Sequence, residues 1–156
     1  MSLDLLNLLP PERVRVALPG AAKDDVLREM VALASGASAV VDTEGLLRDV
    51  LAREEVISTG VGQGLALPHA RTEAVRETVA AFATLAEGVD YDALDGEPVR
   101  LVLLLAGPQG EHGRHLRLLS RISRVMSGAG TRQRLLAART PRDVLDVIAA
   151  AESDLG

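Results

Sequence analysis

Apolar positions recur at helical spacing in two stretches of the N-terminal half. Over residues 24–33, Val26, Leu27, Met30 and Val31 share one side of a 3.6-residue wheel, and the pattern stops near Gly36. Over residues 43–54, Leu46, Leu47, Val50 and Leu51 make a second stripe. Each stripe predicts an amphipathic helix. The pattern then changes to short apolar runs bounded by turn residues, which predict strands. Leu65, Ala66 and Leu67 form one such run, and Pro68 should end it, because proline has no N–H for a ladder. Residues 78–85 are a strand closed by Glu87-Gly88, and residues 90–98 are a turn-rich connection. Residues 99–106 are almost continuously apolar, as a central strand buried on both faces should be.

Helical spacing returns in the C-terminal third. Gly107-Pro108 ends the central strand and residues 110–113 make a loop. A helix over 114–127 follows, then a linker at 128–130 and a short helix over 131–138. A last helix over 141–150 opens on Thr140 as cap and Pro141 in the first turn. Near the N-terminus, Val14, Val16 and Leu18 alternate, which suits an edge strand. The sum is a single α/β domain over residues 1–156, with helices against a mixed β-sheet.

Composition narrows the chemistry. At 156 residues and 47% apolar, the chain can bury a sizeable core. Phe82 and Tyr91 are its only aromatics, so it has no stacking platform for bases or sugar rings, and Leu, Val and Ala must fill the core. A net charge of −5 argues against nucleic acid as the main partner. The absence of cysteine excludes disulfides, thiolate metal sites and a cysteine nucleophile. No apolar run is long enough to cross a bilayer, and the first residues lack the layout of a signal peptide, so a cytoplasmic location is expected.

Chemistry concentrates at residues 58–69, S-T-G-V-G-Q-G-L-A-L-P-H. Gly60, Gly62 and Gly64 leave room for close approach to the backbone, and their amides are expected to bind phosphate oxygens beside His69. Imidazole is a competent neutral nucleophile near pH 7 without a separate base. Two further histidines lie downstream. His115 falls on the apolar face of its helix with Leu118, Leu119, Ile122 and Val125, the place of a partly buried structural histidine or of a second site imidazole. His112 stands beside Glu111 in the loop, where a solvated side chain is the simpler expectation.

Residues 53–71, R-E-E-V-I-S-T-G-V-G-Q-G-L-A-L-P-H-A-R, resemble the enzyme IIA signature of the phosphoenolpyruvate:sugar phosphotransferase system, fructose–mannitol class, which includes the nitrogen-regulatory branch. The likeness extends to D-A-L-D-G-E-P-V before the central strand and H-L-R-L-L-S-R-I-S-R after it. It implies a doubly layered α/β fold and a phosphohistidine carrier needing neither cofactor nor metal. His69 would take the phosphoryl group from a histidine-containing phosphocarrier protein, with His115 as second histidine and Arg53 as the basic group. The group would then pass to a cysteine of an enzyme IIB domain. In the regulatory branch it would instead remain as a signal read by a target protein.

Two other readings stand beside this one. His69, His112 and His115, with Glu111, are the ligand types of a catalytic zinc site, although Gly113 argues against a helix that would align the last two histidines. Arg114, Arg117, Arg121 and Arg124 line one helix face, either a docking stripe or a solvated surface.

Overall fold

The structure is a computed structural model that describes residues 4–20 and 22–155. In chain order its elements are β1 (Val14–Leu18), α1 (Lys23–Ala34), α2 (Thr43–Val56), β2 (Gly60–Gly62), β3 (Leu65–Ala66), β4 (His69–Arg71), β5 (Val79–Val89), β6 (Val99–Gly107), α3 (His112–Met126), α4 (Ala129–Ala137) and α5 (Pro141–Leu155). The strands form one six-stranded mixed sheet, ordered β1-β5-β6-β3-β2, with β4 also paired to β6. β1 runs parallel to β5, β5 antiparallel to β6, and both β3 and β4 parallel to β6.

The centre is β6, as its apolar run predicts. Its side chains alternate between two cores. Val102, Leu104 and Ala106 pack under α1 and α2 with Val26, Met30, Leu46 and Val50. Leu101, Leu103 and Leu105 face α3 to α5 with Leu118, Ile122, Leu135 and Ile148. Helical layers therefore cover both faces of the sheet, which is why this strand cannot alternate apolar with polar.

Two of the five α-helices carry side-chain caps at their N-termini. Asp42 caps α2 by accepting from the Gly45 N–H at 3.0 Å. Thr140 and Asp143 cap α5 reciprocally, Asp143 N–H donating to Thr140 Oγ1 at 3.1 Å and Thr140 N–H to Asp143 Oδ2 at 3.3 Å.

Two glycine-based boundaries differ from expectation. α3 starts at His112, not Arg114, so Gly113 lies inside its first turn, which the His115 N–H closes onto the Glu111 carbonyl at 3.0 Å. Likewise α4 starts at Ala129, and Gly130 is helical rather than a linker. Burial of His115, Thr131 and Leu135 outweighs the roughly 1 kcal/mol that glycine costs a helix. β5 also continues beyond Leu85 to Val89, across a register irregularity after Thr84.

Candidate functional site

β3 ends at Ala66 rather than at Leu67, and the chain does not leave the sheet at Pro68. The Pro68 carbonyl accepts from the Leu105 N–H at 3.0 Å, and His69 opens β4 opposite Leu105, still on the β6 edge. The bend lets His69 Nδ1 reach back to the Leu67 carbonyl at 2.8 Å. A carbonyl only accepts, so Nδ1 carries the proton and Nε2 holds the lone pair. Burial of the half-buried ring pulls its pKa below the usual 6.5, and the Arg53 charge adds to this. The Leu67 bond and the Glu54 charge pull the other way without cancelling it. Near pH 7 this ring is neutral.

His115 enters from the first turn of α3 and is 4% exposed. Its ring centroid is 5.6 Å from that of His69, with the planes tilted by 51°. Neither of its nitrogens has a hydrogen-bond partner among the described residues. Gly107 makes room for the ring, since a Cβ there would stand 3.3 Å from His115 Nδ1. Burial, then the charges of His69, Arg71 and His112, pushes its pKa down to about 4. A buried imidazole with both nitrogens unpartnered is unusual, and here it faces a second imidazole.

The two rings line an open cleft of about 410 Å³, shared with Asp49, Ala52, Arg53, Arg71, Gln109, His112, Leu116 and Leu119. Arg53 arrives from the last turn of α2, its Nη1 donating to the Ile57 carbonyl at 3.2 Å. His112 is exposed at the rim, so His115 rather than His112 stands against His69. Among the described residues no three His, Asp or Glu side chains converge to hold a metal ion, and the zinc reading lacks a ligand set.

A sequence model of the family described as phosphoenolpyruvate-dependent sugar phosphotransferase system, EIIA 2, matches residues 7–151. The chain belongs to this family. It is 36% identical over 146 residues to the fructose-specific EIIA component of Haloferax volcanii, covering 94% of this chain and 95% of that one. It is 34% identical over 144 residues (92% of the chain) to the fructose-specific EIIABC component of Bacillus subtilis, of which it spans only 23%. The crystal structure of the nitrogen regulatory protein IIA-Ntr from Neisseria meningitidis superposes with a TM-score of 0.87 at 28% identity, covering 92% of this chain and 98% of that one.

Within this EIIA fold the three signature glycines need correcting. Gly60, Gly62 and Gly64 do not lie beside His69. Leu65 pairs with Leu101 whereas His69 pairs with Leu105, four residues along β6 and so ~13 Å away. None of the three lines the cleft. Gly62 and Gly64 take positive φ values of 101° and 79° in the β2–β3 hairpin, and Gly60 lets Ala93 approach so closely that a Cβ would meet its Cα at 2.9 Å.

The EIIA cleft also contains groups to which sequence reasoning gave no role. Arg71 is two residues beyond His69 on β4, hence on the same side of the strand, a period-2 signal that was available. Gln109 had no such signal. Among the described residues, no helix is long and apolar enough to cross a membrane.

Burial of a neutral His115 should make the fold acid-sensitive. Its folded pKa near 4 lies below the ordinary 6.5, so the unfolded chain binds the proton more tightly. The stability it holds is complete above pH 6.5 and is lost as pH falls towards 4. Between pH 7 and pH 5 this amounts to on the order of 2 kcal/mol. Urea unfolding at the two pH values should show His115→Gln losing less stability than the wild type by about that amount. Equal losses would mean that the buried ring is not the titrating group.

Proposed function

We propose that this chain is a phosphoryl carrier. His69 accepts a phosphoryl group from a histidine-containing phosphocarrier protein and passes it to an enzyme IIB cysteine during sugar uptake. The observation that supports this most is the His69 tautomer. Nδ1–H is tied to the Leu67 carbonyl, which orients the ring and leaves Nε2 as nucleophile in an open cleft with His115 and Arg53.

The transfer balances without a metal or an external base. The Nε2 lone pair attacks phosphorus in line, the donor's N–P bond breaks, and its electron pair returns to the donor imidazole. Nδ1–H stays bonded to Leu67 throughout. Charge spreads over three equatorial oxygens, so cationic and N–H donors set the rate. Arg53 and the N–H of neutral His115 fill that role here. In the onward step a thiolate attacks the same phosphorus and Nε2 recovers its pair.

Phosphorylation with phosphoenolpyruvate, enzyme I and the histidine carrier, read by intact mass, tests the proposal. One acid-labile phosphate is expected on the wild type. The rate of uptake should be level near pH 7 and fall in acid with a midpoint below 6.5, because only neutral His69 is a nucleophile. A rate that rises on acidification would contradict this mechanism.

The close superposition on IIA-Ntr favours a second reading, in which the same phosphohistidine acts as a regulatory signal without sugar transport. The phosphorylated chain offered to an enzyme IIB domain separates the two. Labelling of the IIB cysteine supports transport, and its absence supports regulation.

A further inference from the structure

The buried stripe of α2 runs Leu46, Val50 and then Glu54, at successive steps of four. A leucine at the third position would continue the core. The chain instead buries a carboxylate, 7% exposed, under the junction of four segments. Glu54 accepts the Thr59 N–H at 2.7 Å, the Thr59 hydroxyl and the Tyr91 hydroxyl at 3.2 Å, and pairs with Lys23 Nζ at 2.9 Å. Burial raises its pKa, but the Thr59 and Lys23 interactions more than offset this and keep it ionised. Lys23 also lies 4.6 Å over the Tyr91 ring. It opens α1, where the helix dipole disfavours a cation, so the helix itself does not account for a lysine there. Glu54 does.

Beyond Glu54, α2 has no apolar anchor. Glu55 is exposed, as are Val56 at 79% and Ile57 at 55%. Arg53 precedes the clamp by one residue, about 100° around the helix. With Glu54 fixed in the core, Arg53 falls on the cleft side with Asp49 and Ala52.

We propose that Glu54 is a positioning residue for phosphoryl transfer: its clamp on Thr59, Tyr91 and Lys23 fixes the last turn of α2 so that Arg53 meets the phosphoryl group at His69. The inference rests on the carrier reading above. Single-turnover uptake from the phosphorylated histidine carrier is measured for the wild type, Glu54→Gln, Arg53→Ala and the double variant. Glu54→Gln should lower the maximal rate about 10- to 100-fold and leave the carrier concentration at half-maximal rate within about twofold. In the Arg53→Ala background the same change should cost less than about twofold, because the group it positions is gone.

Equal effects of Glu54→Gln in both backgrounds would overturn the proposal, as would a change confined to carrier affinity or no change in rate. If Glu54→Gln fails to fold, Thr59→Val keeps the carboxylate and the backbone bond. It should show the same Arg53-dependent loss, smaller in size, and an Arg53-independent loss would be equally fatal. Wild-type protein that takes no phosphate would sink the carrier reading and this inference with it. Labelled wild type with uncoupled variants would sink the inference alone.

Discussion

His69→Ala is expected to take up no phosphate under conditions that label the wild type fully. Among the described residues, His69 combines three properties that the transfer needs. Its Nδ1–H is bonded to Leu67 at 2.8 Å, its pKa is drawn below 6.5, and its ring lies in an open cleft near Arg53. The first aims the lone pair, the second keeps it free of a proton, and the third gives a donor protein access. Neither other imidazole matches it. His115 is too buried to meet a donor directly, and His112 is exposed at the cleft rim, where His115 rather than His112 stands against His69. The loss should therefore be complete. Unchanged labelling of His69→Ala would place the acceptor elsewhere and end the carrier mechanism. The wild-type phosphate should reside on Nε2, which phosphorus–nitrogen coupling in the labelled ring can check.

His115→Ala should still accept phosphate, more slowly, but fail in onward transfer. The ring is neutral across the working pH range, since its pKa is near 4, so it offers one N–H without adding charge. Among the described residues neither of its nitrogens has a partner, and its centroid is 5.6 Å from that of His69, which leaves that N–H available to a phosphoryl oxygen. Loss of one preorganised donor costs about 10²–10³ in rate. Excess phosphorylated carrier can still fill His69 by mass action, with Arg53 meeting the charge. Transfer to a partner is read as a rate and shows the whole loss. Rapid-quench measurement of both steps separates them. Wild-type rates in both would remove His115 from the mechanism and turn attention to His112.

The periodic elements were legible because burial has to follow the geometry of the backbone. Residues 24–33 and 43–54 were read as helices and are α1 and α2 with longer ends. The central strand was legible because only a strand covered on both faces tolerates the run from Val99 to Ala106. Glycine was the poorest guide. Gly113 and Gly130 looked like loop residues and are helical, because the burial of neighbouring side chains offsets their cost. Gly60, Gly62 and Gly64 looked like a phosphate cradle, but Gly62 and Gly64 shape the β2–β3 hairpin and Gly60 admits Ala93. Positive φ and close approach leave the same mark in a sequence for either purpose.

The chain's own order of residues was enough to determine the α/β class, the central strand, the histidine after Pro68 and the family signature around it. Those features depend on local spacing and on residue chemistry. Which groups meet was decided by tertiary structure alone. The parallel pairing of β4 with β6 brings His69 to the start of α3 and to the end of α2, while the β2–β3 glycines are carried away along the same strand. Gln109 and the Glu54 clamp belong to that second category. Their placement arises from contacts between segments distant in sequence, and periodicity along one segment carries no information about its neighbours in space.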